Sequence, residues 1–355
     1  AGPPRILPRI RVLSEVEPPW TAEIPEPVAP LQRRLELVQL VSGLLEAQPD
    51  MAPRAALFDL ADSLAGLMDE MQGEGVSPET VAGLDVGHLS AHWERAQRFL
   101  AIAHDYLGQT TTRPDAEARR RQLVARIIAR WQDNPPQHPV ILAGSTGSRG
   151  TTALLMEAVA RLPQGAIILP GFDFEMPTAV WNELDQALLA EDHPQYRFRK
   201  LMNMLGVARG AVAPWCEMPP VSTARNKLLS LSLRPAPVTH AWLNEGPKLE
   251  DLQGATANIT LIEAPTPRVE ALAIALRLRQ AAEDGVKAAL ITPDRMLTRQ
   301  VTAALDRWNI LPDDSAGMPL QLSPPGRLLR HVAALFVRKL DAGALLPLLE
   351  HPLTH

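Results

Sequence analysis

The chain has 355 residues, 35 basic against 40 acidic side chains for a formal net charge of −5, 34 prolines, 21 glycines and one cysteine. At 46% hydrophobic and 21% charged it has the composition of a folded protein of two or three domains, which excludes a disordered or low-complexity chain. The lone Cys216 excludes a disulfide framework and any all-cysteine zinc or iron–sulfur site. No apolar run reaches the roughly 18 to 20 residues of a membrane span, so a soluble, cytoplasmic protein is expected. The first residue is Ala1 and an apolar segment follows almost at once, the expectation for a piece of a longer protein.

In chain order, Arg5 to Leu13 is short and partly alternates basic and apolar residues, which predicts a strand or extended segment, followed by a proline-rich linker to Pro30. From there the period becomes helical. Leu31, Leu35, Val38, Val41 and Leu45 form one apolar stripe, and Leu57, Leu60, Leu64, Leu67 and Met71 another. A third helix carries Trp93, Ala96, Leu100, Ala103 and Leu107 after Ser90. A fourth carries Leu123, Ile127 and Trp131 after Pro114 and Asp115. Residues 31–132 are therefore predicted to be an all-helical block.

At Pro139 the character switches. Val140 to Ala143 predicts a buried strand, Gly144 to Gly150 a glycine-rich loop, the next residues a helix with Leu155, Val159 and Leu162, and Gly165 to Pro170 a second strand. Strand, loop, helix, strand is the grammar of a parallel α/β sheet. Residues 173–250 are interrupted by prolines and are mostly helical or irregular. The α/β grammar resumes with Asn258 to Ile262, a helix from Pro267 stopped at Gly285, a strand from Lys287 to Ile291 and a helix from Asp294 to Trp308.

A glycine-rich strand-to-helix loop can hold an anion on its backbone amides, but a P-loop also needs glycine, lysine and a hydroxyl residue in succession. The five lysines (Lys200, Lys227, Lys248, Lys287 and Lys339) follow Arg199, Asn226, Pro247, Val286 and Arg338, so none completes that motif. Three readings of the loop stay open: a structural helix cap, contact with a polynucleotide backbone or a partner, and a nucleotide cradle in which Arg149 replaces the lysine. A two-metal nuclease of the restriction-enzyme type would place an acid two residues before a lysine, and Phe198, Arg225, Gly246, Gly285 and Val337 stand there instead. Pro293-Asp294 and Pro312-Asp313 are then a helix cap and a turn. His88 and His92 have helical metal-ligand spacing without a third ligand, and no Gly-x-Ser-x-Gly elbow occurs.

The charge distribution says more than its total. Between His193 and Asn244 lie Arg197, Arg199, Lys200, Arg209, Arg225, Lys227 and Arg234 against the single acid Glu217. The start of this tract interleaves Tyr196 and Phe198 with cations, a pattern suited to base stacking with phosphate contact. A solvated face or an acidic protein partner would read the same way. Arg119, Arg120, Arg121, Arg126 and Arg130 add a second positive face.

Several segments resemble the alphaproteobacterial AddB family, the B subunits of a double-strand-break repair helicase–nuclease. They are Gly2 to Ile10, His92-Trp93 with Phe99-Leu100, Pro135 to Gly147, Leu162 to Asp173, His193 to Gln195, Ala289 to Arg295, Asp313 to Gly317 and Ser323 to Gly326. The resemblance implies an α/β superfamily 1 helicase-like fold, a P-loop NTPase-like parallel sheet that has lost most motor motifs. It places residues 1–30 as strand and linker of a first α/β domain and 31–132 as a helical insertion. Residues 139–255 would complete that first domain, and 256–355 would begin a second one. It also implies a part in DNA repair by homologous recombination, as a non-catalytic scaffold that holds DNA, single-stranded in this reading, and an AddA-type motor subunit. ATP and Mg2+ would serve the parent complex, with no cofactor, metal or catalytic residue in this stretch and no membrane. The proposed DNA contacts are Gly147, Ser148 and Arg149 in the loop, the tract Arg197, Arg199, Lys200, Arg209, Arg225, Lys227 and Arg234, and Arg295 with Arg299. The alternatives are an ATP-binding module with a degenerate phosphate loop and a pure protein-interaction domain.

Overall fold

A computed structural model of the chain describes residues 8–83, 113–186 and 190–354. The expected helix over Trp93 to Leu107 and the pair His88 and His92 lie outside the described residues. The chain divides into two compact units, Ala1–Ala257 and Asn258–His355. Helix dominates both, and no helix among the described residues is long and apolar enough to cross a membrane.

The first unit opens with helices α1 (Pro30–Ala47) and α2 (Leu57–Glu74), followed by the short α3 (Pro78–Ala82) and then α4 (Ala116–Asp133). The predicted stripes go inside only in part: Val41 and Leu45 of α1 and Leu64 of α2 are buried, joined in one closed cluster by Leu37, Ala61 and Met68, which the stripes did not include, while Leu31 and Leu35 are 66% and 50% exposed because the buried face of α1 is rotated from the predicted one. Fully burying each such aliphatic side chain contributes about 1.5 to 3 kcal/mol, so this interface holds the pair together without a strong intrinsic preference for helix. Asp115, before α4, makes no capping bond. Its carboxylate is buried between α1 and α2, 3.1 Å from Arg33 and accepting from Gln72 at 3.0 Å.

Next come strand β1 (Val140–Ala143), helix α5 (Gly150–Ala160) and strand β2 (Gly165–Ile168). The strands pair in parallel, with Val140 opposite Gly165 and Ala143 opposite Ile168, and α5 is the crossover between them. Leu142 of β1, Leu155, Met156 and Val159 of α5, and Val124 and Ile127 of α4 share a second cluster, so the helical block and the sheet have a common core. Helices α6 (Thr178–Glu183), α7 (Tyr196–Leu205), α8 (Thr223–Ser232), α9 (Ala241–Glu245) and α10 (Leu252–Thr256) complete the unit.

The second unit contains α11 (Pro267–Glu283), α12 (Arg295–Asp306), α13 (Pro324–Ala334) and α14 (Ala342–Leu349). Thr266, Asp294, Ser323 and Asp341 each accept a backbone N–H as N-caps, and Gly285 at φ +68° ends α11 as expected. Ala271 and Ala275 pack on Val301 and Leu305, with Leu290, Trp308 and Ile310 around them.

The architecture is thus mostly helical with one two-stranded parallel sheet, the coarse outline of an α/β chain. Two predicted strands, and the strand alternative for the opening segment, do not form among the described residues. Residues 8–12 are irregular with Ile10 90% exposed, and residues 258–262 and 287–291 form no ladder. Leu261 and Ile291 are 83% and 94% exposed. Apolar β-rich runs become strands only when a neighbour takes up their backbone hydrogen bonds, and β1 and β2 alone find each other here.

Gly150 sits where two elements nearly touch. A Cβ built there would lie 2.8 Å from the Gly73 carbonyl oxygen and 2.9 Å from the Glu74 Cα. Gly150→Ala is expected to lower unfolding stability by about 1–3 kcal/mol through overpacking. Gly43→Ala, on an exposed turn of α1 with nothing within 4 Å, should raise it by about 0.5–1 kcal/mol. Denaturant unfolding of the two variants beside the parent measures both signs.

Candidate nucleic-acid interface

The glycine loop leaves β1 through Gly144 at φ +77°, turns again at Gly147 at φ +68° and enters α5 at Gly150. Ser145 Oγ accepts the Gly147 N–H at 3.2 Å. The first amide of α5 is already satisfied, because Gly150 N–H donates to Glu74 Oε1 at 2.8 Å. Beside it Thr151 Oγ1 and Arg121 Nη1 both donate to the Gly73 carbonyl, at 3.1 and 2.8 Å. A carboxylate from the last turn of α2 thus occupies the place where a phosphate-binding loop would hold its anion. Of the three readings left open by the sequence, the geometry favours the helix cap over the nucleotide cradle. Arg149 leaves the loop toward solvent with its guanidinium 2.9 Å from Glu117 of α4 and its side chain 65% exposed.

Helix α7 runs beside this loop. Its entry is fixed by the His193-Pro194-Gln195 segment: Gln195 donates to the Gly171 carbonyl at 2.9 Å and accepts the Asp173 N–H at 3.0 Å. His193 is buried, with Nδ1 accepting the Gln195 N–H at 3.1 Å and Nε2 2.7 Å from the Leu233 carbonyl. That arrangement requires the neutral ring protonated at Nε2. Burial holds its pKa below the usual value, against the opposing pull of the Leu233 carbonyl. Tyr196, Phe198, Leu201 and Met202 form the buried side of α7. The expected stacking platform is therefore absent: Tyr196 and Phe198, at 8% and 1% exposure, are core residues packed with Trp181 and Met176.

On the outer side of α7, Arg197 and Lys200 turn toward the glycine loop. Gly147, Arg197 and Lys200 line one crevice, and Ser148, Arg149, Arg197 and Lys200 line an adjoining cleft of about 400 Å³. Five of the predicted contact residues, from two separate stretches of sequence, thus converge. The opposite wall is acidic: Asp69, Glu70 and Glu74 come from α2, with Glu117 and Glu191 at the edges. Arg197 donates to Glu191 at 2.8 Å. Lys200 is exposed, without a hydrogen-bond or ion-pair partner among the described residues.

The rest of the basic tract does not share that face. Arg199 forms a two-pronged pair with Asp185, whose carboxyl it holds below the usual carboxylate range by hydrogen bonding. Arg209 donates to the carbonyls of Asp173 and Phe174, and Arg225 to those of Ala255 and Ala257. Arg234 is buried, bonded to Ser230 and 2.8 Å from Glu245. Only Lys227 of this later group is exposed and unengaged among the described residues. In the second unit Arg295 pairs with Asp314 at 3.2 Å, and Arg299 lies along exposed α12 with Nη1 3.9 Å from Met296 Sδ. Composition grouped seven cations; the fold makes Arg209, Arg225 and Arg234 brackets for loops and helix ends.

Sequence reasoning missed the residues that complete the cleft. Glu74 lies 76 positions from its partner Gly150, with no local signal to connect them. Asp173 and Gln195 stand in segments that carry the family resemblance, yet they position backbone: Asp173 Oδ1 accepts the N–H groups of Glu175 and Met176.

Arg234→Ala should lower stability by about 2 kcal/mol, the scale of lost charge-assisted hydrogen bonds, while Lys200→Ala should leave it within about 0.5 kcal/mol. Thermal unfolding of the pair separates bracket from free cation. The lowered pKa of His193 means that the unfolded chain takes up its proton first as pH falls. Its contribution is complete above about 6.5 and declines as the pH drops below that value. Unfolding midpoints between pH 7.5 and 5 should therefore fall, with a shallower slope in His193→Gln. Comparison with known proteins assigns no family to this arrangement: no family model matches the chain, and no curated protein matches it in sequence.

Proposed function

We propose that this chain is a non-catalytic, helicase-like scaffold of the AddB type, which holds single-stranded DNA and a motor subunit during double-strand-break repair by homologous recombination. The observation that carries the DNA part is the convergence of Arg149 from the glycine loop with Arg197 and Lys200 from α7 along one cleft. Three cations spaced along a groove, with glycine backbone at Gly147 beside them, suit a sugar–phosphate chain read without base specificity. The scaffold part rests on two supports. The α5 N-terminus already holds a carboxylate, which disfavours a nucleotide there, and the order of helical block and strand–loop–helix–strand unit matches what the family resemblance implies. The motor subunit as partner rests on that resemblance alone.

The test is binding of a labelled 15-nucleotide oligo(dT) across a salt series. Three phosphate contacts should give a slope of log K against log salt of about −2, at roughly −0.7 per contact on a single strand. Arg197→Ala with Lys200→Ala should bring the slope to about −0.7, whereas Arg295→Ala should leave it unchanged. No binding at low salt, or equal slopes in all variants, would overturn the assignment of DNA to this cleft.

A further inference from the structure

The cleft is neutralised from within. Its three cations face five carboxylates, and two of the three are engaged: Arg149 by Glu117 at 2.9 Å and Arg197 by Glu191 at 2.8 Å. Glu74 meanwhile takes the Gly150 amide at 2.8 Å. Asp69 is drawn to Arg33 of α1, 2.7 Å away, which fixes this stretch of α2 to the helical block. A polyanion entering as the protein stands would meet like charge on one wall and occupied donors on the other.

We propose that the C-terminal turn of α2, with Glu117 of α4, is an autoinhibitory contact. Glu74 and Glu117 hold the loop amide and Arg149 in place of nucleic-acid phosphate, and the cleft accepts a strand only when these two contacts open. The inference rests on the DNA reading above and adds to it a closed state. The contact is suited to release. Arg149 is 65% exposed, so its half of the pair is open to solvent and salt, while Glu117 is 15% exposed and also held by Arg120 at 2.9 Å, which keeps that carboxylate partnered when Arg149 turns to a phosphate. The seat of Glu74 is one hydrogen bond from a side chain, which a phosphate oxygen can replace atom for atom. The backbone contact of Gly73 with Thr151 and Arg121 does not involve the carboxylate, so it can keep α2 in place while the Glu74 side chain swings out.

The experiment compares Glu74→Ala, Glu117→Ala and Glu70→Ala with the parent for oligo(dT) affinity at low salt, with far-ultraviolet circular dichroism confirming that each is folded. All three remove one charge and its acceptor oxygens from the same cleft, but Glu70 makes no hydrogen bond or ion pair with the loop or α5 among the described residues. Glu74→Ala and Glu117→Ala should each bind about tenfold more tightly than the parent, the scale of one charge-assisted hydrogen bond gained by the strand, and Glu70→Ala less than threefold. Equal gains in all three would reduce the effect to net charge and overturn the proposal. So would unchanged affinity in Glu74→Ala and Glu117→Ala beside a parent that binds. A parent and three variants that all fail to bind would instead overturn the DNA reading itself. If Glu74→Ala does not fold, Glu117→Ala against Glu70→Ala decides the same question.

Discussion

The C-terminal end of α2 and the N-terminal start of α5 meet at Gly73, Glu74, Gly150 and Thr151, and much of the first unit follows from that meeting. A helix ends in bare carbonyls and begins in bare amides, so opposite ends brought together satisfy each other's unpaired groups and align partial charges of opposite sign. The approach is close enough to require glycine at Gly150, where a Cβ would press on the Gly73 carbonyl and Glu74. It also requires α2 to stop abruptly, which Gly75 does at φ +72°: the Val76 N–H returns to the Met71 carbonyl and the Gly75 N–H to that of Gln72. One local constraint thereby joins the helical block to the β1–α5–β2 unit, beside the core their helices share.

The same junction sets the electrostatics of the cleft. Because α2 ends on the glycine loop, its carboxylates are carried to the wall facing Arg197 and Lys200. A net charge of −5 for the whole chain says nothing of this pairing. Neither does the count of cations between 193 and 244. A long-range field would be screened within about 10 Å at ordinary salt, so what any anion would meet here is the local arrangement of three cations and five carboxylates. Lys200, exposed and unpaired among the described residues, is the cleft cation whose engagement would displace the least.

Features encoded by neighbours in sequence were legible. Helices α1 and α2 with part of each stripe, the strand–loop–helix–strand order around Gly144 to Gly150, the cap at Asp294 and the stop at Gly285 all depend on residues a few positions apart, and the structure has each of them, although the buried face of α1 takes in Leu37 and leaves Leu31 and Leu35 exposed. The loop and the Arg197–Lys200 pair were also legible as candidates. Their convergence was not, since it depends on Gln195 bonding back to Gly171 and Asp173 to set the start of α7. Reading Tyr196 and Phe198 as a stacking surface failed for a related reason. An aromatic between two arginines looks exposed in sequence, but burial follows the face of the helix, and this face meets Trp181 and Met176.

The second unit shows where local information stops being sufficient. Thr266 and Asp294 start α11 and α12 with their own side chains, so both helices form whether or not the extended segment before each finds a partner. Packing them together needs only small residues, Ala271 and Ala275, opposite Val301 and Leu305, with Trp308 closing one end and Arg279 stacked 4.9 Å from its ring centroid. Strand formation has no such local route: a single run of Ile, Leu and Val leaves every backbone donor and acceptor to be met by another strand. Residues 258–262 and 287–291 carry the pattern of buried strands, yet among them only Leu290 joins the α11–α12 core. The α/β grammar of this region is consequently a property of its sequence, while the structure that its helices alone can enforce is a capped helical pair.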